Sequence, residues 1–187
     1  MDVAFIIDSS ASISRRNYRR IKDSVKVLAE SFGLAPNHSR AAMIEFSTSA
    51  SIQARFGQYG TMEDFAKAVD VLPHTRGKTR IDKALDLAAT HIFPEARAGV
   101  LKLALLITDG RQTPAADAKG SREASEPLRK AGVRILVLGL GRGIDIGELR
   151  LITETDDDMF WFADMTELML NNGPVTSRAC GLVGECG

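Results

Sequence analysis

Oxygen donors stand at three separated points of this chain, spaced so that loops could bring them together. Asp8, Ser10 and Ser12 alternate along Asp8-Ser9-Ser10-Ala11-Ser12. Alternate side chains of a turning loop can converge on one point, which would gather a carboxylate and two hydroxyls. Asp109 follows a long apolar run and precedes Gly110, and Thr79 closes Gly77-Lys78-Thr79 just before a helical segment. A set made only of oxygens, with few carboxylates among them, is hard and low in charge. It suits magnesium or manganese, which keep several of their waters, better than zinc or copper.

Donors so distant in sequence meet only if the elements carrying them end at one edge. Val3-Ala4-Phe5-Ile6-Ile7 is an uninterrupted apolar run ending in Asp8, as expected of a central strand buried on both faces. Residues 14–32 show helical spacing, with Ile21, Val25, Leu28 and Phe32 on one face and Ser14 as the N-cap. Residues 41–46 read as a strand, 47–50 as a turn and 51–56 as an alternating edge strand, forming a hairpin that is the one antiparallel element expected. Helices are predicted over 61–71, capped by Thr61, and over 80–92, closed by Pro94. Residues 101–108 read as a second buried strand. Helices over 117–131, 145–153 and 164–171 then alternate with strands over 133–138 and 159–162, and Gly173-Pro174 ends the last helix.

This alternation predicts an α/β fold: a doubly wound, mostly parallel six-stranded sheet with one antiparallel edge strand and helices on both faces. In such sheets ligands sit outside the carboxyl ends of the central strands, so the loops after Ile7, Thr108 and Leu138 are the places to search. Residues 1–172 are expected to form one domain and residues 173–187 a C-terminal tail.

Composition narrows the function classes. With 187 residues, 44% of them apolar and 26% charged, the chain fits one ordinary globular domain. Lys plus Arg equals Asp plus Glu at 24 each, which argues against a dedicated nucleic-acid binder. No stretch approaches the roughly 18 apolar residues of a membrane span, so no membrane insertion is expected. Met1 followed at once by a core strand suggests a piece of a longer protein. The only cysteines, Cys180 and Cys186, fall in the expected tail, where they are candidates for a disulfide or for links to other chains, with free thiols as the alternative.

Asp-x-Ser-x-Ser after the first strand, a threonine before a helix and Thr-Asp-Gly after a later apolar strand resemble the metal-ion-dependent adhesion site of von Willebrand factor A domains. Asp8, Ser10, Ser12, Thr79 and Asp109 match all of its positions, and the likeness extends over residues 2–170. The opening Asp-Val-Ala-Phe-Ile-Ile-Asp-Ser-Ser and the spacing of Asn17, Lys22 and Phe32 look most like the matrix subgroup, the matrilins and collagen VI. The resemblance implies that Ser10 and Ser12 coordinate a cation directly, Thr79 directly or through water, and Asp8 and Asp109 partly through water. The cation would be Mg2+ or Mn2+, with Ca2+ as a further option, and an open position would take a ligand carboxylate. A secreted, extracellular-matrix location is implied. So is a non-enzymatic adhesion role toward a matrix or cell-surface protein, collagen included. The alternative is a structural domain whose contacts bypass the metal, with homo-association or disulfide linkage through the tail. Here the chain departs from the family pattern at Arg76-Gly77-Lys78, where Gly-Gly is usual, and at Arg80-Ile81-Asp82 after Thr79. Lys78, Arg80 and Arg111 are the expected ligand-facing rim.

Competing motifs fare worse. Gly77-Lys78-Thr79 lacks the leading glycine and strand of a phosphate loop, and Gly139-x-Gly141-x-Gly143 ends in Ile144 at a late position. An aspartyl-phosphate enzyme would want an acid two residues after Asp8, where Ser10 stands. His38, His74 and His91 are scattered, giving a hydrolase triad no support. Trp161, between Phe160 and Phe162, reads as a core aromatic.

Overall fold

The computed structural model describes residues 1–35, 38–141, 144–163 and 165–181. β1 (Asp2–Asp8) is buried along its whole length and lies at the centre of the sheet, between β2 (Arg40–Phe46) and β4 (Lys102–Thr108), parallel to both. β3 (Ala50–Ala54) returns antiparallel along β2 as the outer edge. β5 (Val133–Leu140) and β6 (Met159–Phe162) extend the other side in parallel, giving the order β3-β2-β1-β4-β5-β6. The predicted α/β sheet is thus what the chain forms.

Alternation along β1 explains the two layers. Val3, Phe5 and Ile7 face a core completed by α1 (Arg15–Ser31), α2 (Met62–Asp70), α6 (Met165–Leu170) and α7 (Gly173–Gly181), through Ile21, Val25, Phe65, Leu168 and Val175 among others. Ala4 and Ile6 face a second core closed by α3 (Ile81–Leu87), α4 (Ser121–Lys130) and α5 (Ile146–Arg150), through Ile81, Leu85, Leu128 and Leu149. A strand covered on both faces has no solvent side, which is why its sequence shows no polar alternation.

Three expectations need correction. The helix predicted over 80–92 is α3 only to Leu87; it continues as a wider π turn over Ala88–Ile92 and a tight 3-10 turn over Phe93–Glu95 that takes in Pro94. Gly173-Pro174 follows the end of α6, as predicted, but it also starts a helix that the sequence reading omitted. It opens α7, where proline falls in the first turn and its missing N–H would have had no helical partner. Val175 and Ala179 of α7 are fully buried. Trp161 is not core: it is 59% exposed, with Nε1 donating to the Gly141 carbonyl at 2.8 Å. Among the described residues no helix is long and apolar enough to cross a membrane.

From β1 the chain winds outward to β2 and β3, then returns to place β4, β5 and β6 on the other side. The switch lies between β1 and β4, and the crevice beyond their carboxyl ends is where such a sheet leaves room for a ligand. Asp8 ends β1 there, and Asp109 follows the last residue of β4.

Candidate metal centre

Asp8 is fully buried, and both carboxylate oxygens are engaged. Oδ1 accepts the Ser10 backbone N–H at 2.8 Å and Oδ2 the Thr108 hydroxyl at 2.6 Å. The bond to a backbone amide two residues on is an Asx turn, and it curls the chain directly after β1. The curl puts Ser10 and Ser12 on one side, their hydroxyls 2.9 Å apart, and Ser12 donates to Asp109 Oδ1 at 2.8 Å. Asp8, Ser10, Ser12 and Asp109 thus form one continuous hydrogen-bonded chain across the crevice.

Ser9 points the other way. Its hydroxyl bonds to the Glu45 carboxylate, to the Phe46 carbonyl at 3.2 Å and to the Thr75 hydroxyl at 2.8 Å. Glu45 is only 2% exposed and also accepts from Thr75 at 2.6 Å and Ser51 at 3.1 Å. A buried carboxylate held by three hydroxyls therefore forms the underside of the Asp8–Ser12 loop.

Thr79 arrives on a third loop, fixed by its backbone. Ala11 N–H donates to Gly77 O at 2.9 Å, and Arg76 N–H to Ser9 O at 2.9 Å. Lys78 N–H donates to Thr48 Oγ1 at 2.9 Å, and Arg80 N–H to Ser47 O at 2.9 Å. Thr79 exchanges two bonds with Thr113, N–H to Oγ1 at 3.1 Å and carbonyl from N–H at 2.8 Å. The glycine is required by space: a Cβ on Gly77 would lie 2.3 Å from Thr48 Oγ1 and 2.9 Å from the Thr48 backbone nitrogen. The loop of Thr79 is held against that of Ser10, while its hydroxyl makes no hydrogen bond among the described residues.

The electrostatics leave a place for a cation. Burial pushes the Asp8 carboxyl up to about 6, against the pull of its bonds from Thr108 and Ser10, and the nearby Asp109 charge adds to the rise. Burial also raises Asp109, offset in part by Ser12. Neither carboxylate has an ion-pair partner among the described residues, although buried carboxylates normally require one. Nor do three or more His, Cys, Asp or Glu side chains cluster among those residues as a metal cage would require. Two carboxylates and three hydroxyls make a sparse, oxygen-only set, and it fits a hard divalent ion that keeps some of its waters.

The expected rim divides. Lys78 is exposed beside Thr79, and Arg111 is exposed with its guanidinium 3.9 Å from Asp145. Arg80 does not belong to it. Its side chain is buried, bidentate on Asp82 at 2.8 Å through both Nε and Nη2, and 2.9 Å from Asp117. The Asp82 pair, largest of the influences on Arg80, raises its pKa and keeps the guanidinium charged. A buried arginine must face its acids rather than a solvent-borne ligand. Cys180 lies on α7 and is disulfide-bonded, while Cys186, its predicted partner, falls outside the described residues. Sequence reasoning passed over Thr108 as a donor, although it directly precedes Asp109. It also passed over the Ser9–Glu45–Thr75 underside, which no short spacing could have revealed.

Comparison with known proteins agrees with the fold. The model of the von Willebrand factor type A domain matches residues 2–172. Collagen alpha-1(XXI) chain of Xenopus laevis is 24% identical over 161 residues, covering 86% of this chain and 16% of the relative. Von Willebrand factor A domain-containing protein 1 of Rattus norvegicus is 29% identical over 170 residues, covering 89% of this chain and 40% of the relative. The structure of proximal thread matrix protein 1 from the mussel byssus with a zinc-occupied MIDAS motif superposes with a TM-score of 0.87. It is 30% identical, over 96% of this chain and 45% of that one. The chain thus spans less than half the length of each of these proteins.

Proposed function

This chain belongs to the von Willebrand factor type A domain family, and on that premise we propose that it is a divalent-cation-dependent binding domain of an extracellular matrix or cell-surface protein. The observation that carries the reading is the hydrogen-bonded chain Asp8–Ser10–Ser12–Asp109 at the switch point of the sheet, with two carboxylates that have no ion-pair partner among the described residues. The ion we assign to it is Mg2+, with Mn2+ or Ca2+ as substitutes. The zinc in the mussel byssus protein supports a divalent ion at the equivalent motif without fixing its identity here.

When bound, the cation supplies a Lewis-acidic position that a ligand carboxylate can fill. Ser10, Ser12 and Thr79 offer neutral oxygens toward it, which leaves the ion electrophilic. Asp8 fixes the backbone at Ser10, and Asp109 holds the Ser12 hydroxyl in place. The exposed Lys78 and Arg111 at the rim favour approach of an acidic group. Matrix relatives support secretion and a matrix partner, with collagen as one candidate.

The test is a calorimetric titration of Mg2+ into chelator-treated protein, wild type against Asp109→Ala. We expect saturable uptake by the wild type and at least a tenfold loss in the variant, equivalent to about 1.4 kcal/mol. Identical uptake would refute the site. Binding of a matrix ligand that survives chelation would favour the alternative, a structural domain whose contacts bypass the metal.

A further inference from the structure

Although the chain carries no net charge, its cations are unevenly placed. Beside the metal loop lies an open cleft of about 510 Å³ between α1 and residues 72–76, lined by Arg15, Arg19, Lys22, His74 and Arg76 over a floor of Tyr18 and Leu72. Among the described residues Arg15, Arg19 and Arg76 form no ion pair, and Lys22 donates only to the Asp70 carbonyl, at 2.8 Å. The cleft is built rather than incidental. Tyr18 stacks on His74 with ring centroids 4.4 Å apart and planes at 10°, and its hydroxyl donates to Pro73 O at 2.5 Å, clamping helix to loop.

Three local choices that disfavour stability converge on this cleft. The first turn of α1 has no acidic residue and begins Arg15-Arg16, although cations oppose the helix dipole at that end. Arg15 and Arg19 stand one helical turn apart, where like charges repel. Arg76 holds φ at 57°, a left-handed conformation suited to glycine or asparagine. Departures from local rules that all present charge to one place indicate a function for that charge.

We infer that this cleft binds a linear sulfated polysaccharide, independently of the metal. Arg15, Arg19 and Lys22 lie in a row along one face of α1, with Arg76 opposite, an arrangement that follows a chain of repeated anions rather than a single carboxylate. Guanidinium groups pair bidentately with such oxyanions. A protein partner would need apolar anchors, and the only large apolar side chains lining the cleft, Tyr18 and Leu72, are buried in its floor. The choice of sulfate over phosphate rests on the extracellular placement proposed above; the cleft and its metal independence do not.

The test is binding of a sulfated heparin oligosaccharide in EDTA, against desulfated heparin, oligoglutamate and oligothymidylate of matched charge. Wild type should bind the sulfated probe most tightly, with salt dependence. Arg15→Glu with Arg19→Glu should weaken it roughly tenfold or more and lower the salt slope by about one for each cation removed. Arg76→Gly should weaken it less. Because these changes relieve the helix-dipole and left-handed penalties, melting temperatures should hold or rise, separating lost binding from lost folding. Arg122→Glu with Lys130→Glu on α4 is the charge-matched control. Equal weakening by that control, no weakening by the cleft variants, or equal affinity for oligoglutamate or oligothymidylate would overturn the inference. Because EDTA removes the metal, failure here leaves the adhesion-site reading standing.

Discussion

At the edge of the sheet opposite the metal loops, Asp2 begins β1 fully buried, and its carboxylate takes five hydrogen bonds. Arg40 donates through Nε at 3.0 Å and Nη2 at 2.5 Å; Arg97 donates through its backbone N–H at 2.7 Å, Nε at 3.0 Å and Nη2 at 2.8 Å. Burial alone would raise its pKa, but the bonds from Arg40 and Arg97 outweigh it and hold the group at about 2, below the ordinary 3.8. A depressed folded-state pKa contributes stability that is complete above the unfolded value and disappears as pH falls through the folded one. The gap corresponds to about 2.4 kcal/mol. Solvent reaching Arg40 and Arg97, whose side chains are 20% and 30% exposed, reduces this to about 2 kcal/mol. Asp2→Asn should therefore lose about 2 kcal/mol at pH 7, or roughly 4–8 °C in Tm. The difference from wild type should shrink between pH 4 and pH 2, the window set by 3.8 and about 2. Urea titrations across that range measure it. Mg2+ uptake should not change, since the carboxylate lies at the far end of β1. A stability difference that is the same at both ends of the range would refute the argument, because it would show that the ionised carboxylate contributes nothing.

The remaining expectations concern the loops around the site. Gly77→Ala should cost about 1–3 kcal/mol and weaken Mg2+ uptake, read by calorimetry, because the new methyl would overlap the Thr48 hydroxyl and also meet the Thr48 backbone nitrogen at 2.9 Å, which cannot swing aside. Thr108→Val should weaken Mg2+ uptake and lose about 1–2 kcal/mol in urea unfolding, as Asp8 Oδ2 forfeits its 2.6 Å bond. Arg80→Met should lower stability by about 3 kcal/mol by leaving buried Asp82 without its cation; ligand binding by the variant that still folds should stay near wild type, as a rim residue's would not. Ser9→Ala should lower Mg2+ affinity severalfold in the same calorimetry while leaving every donor oxygen in place.

The fold was legible because its signals are local. An apolar run without alternation, Val3 to Ile7, can only be a strand covered on both faces, and the helical spacing of Ile21, Val25 and Leu28 matches the face that α1 buries. The misreadings arose where one residue type serves two purposes. Proline after glycine ends many helices, yet Pro174 sits in the first turn of α7, and only the burial of Val175 and Ala179 against the rest of the molecule distinguishes the two. Trp161 sits on β6, an edge strand of the described sheet, where side chains are less enclosed than on β1, so its size said nothing about burial.

The site was legible to a different depth. Residue types and order pointed to the proposed donors, because a hard cation needs oxygens and the loops after β1 and β4 leave one edge of the sheet. The sequence pattern could not show which side of the loop each serine would take, and the geometry depends on that. The Asx turn at Asp8 sends Ser10 and Ser12 upward and Ser9 downward, where Ser9, Thr75 and Ser51 hold Glu45. Those partners come from the loop after β1, the β2–β3 hairpin and the loop ahead of α3, the last being the loop that carries Thr79. The hydrogen bonds beneath the site therefore set the spacing of the donors above it. The same logic separates Arg80 from Lys78. Each flanks Thr79 with positive charge, but Arg80 is turned into the core by Asp82 and Asp117 and fixes the start of α3, while Lys78 stays exposed beside Thr79. Of the two basic residues flanking Thr79, Arg80 is a structural tie, which leaves Lys78 as the one available to the proposed rim.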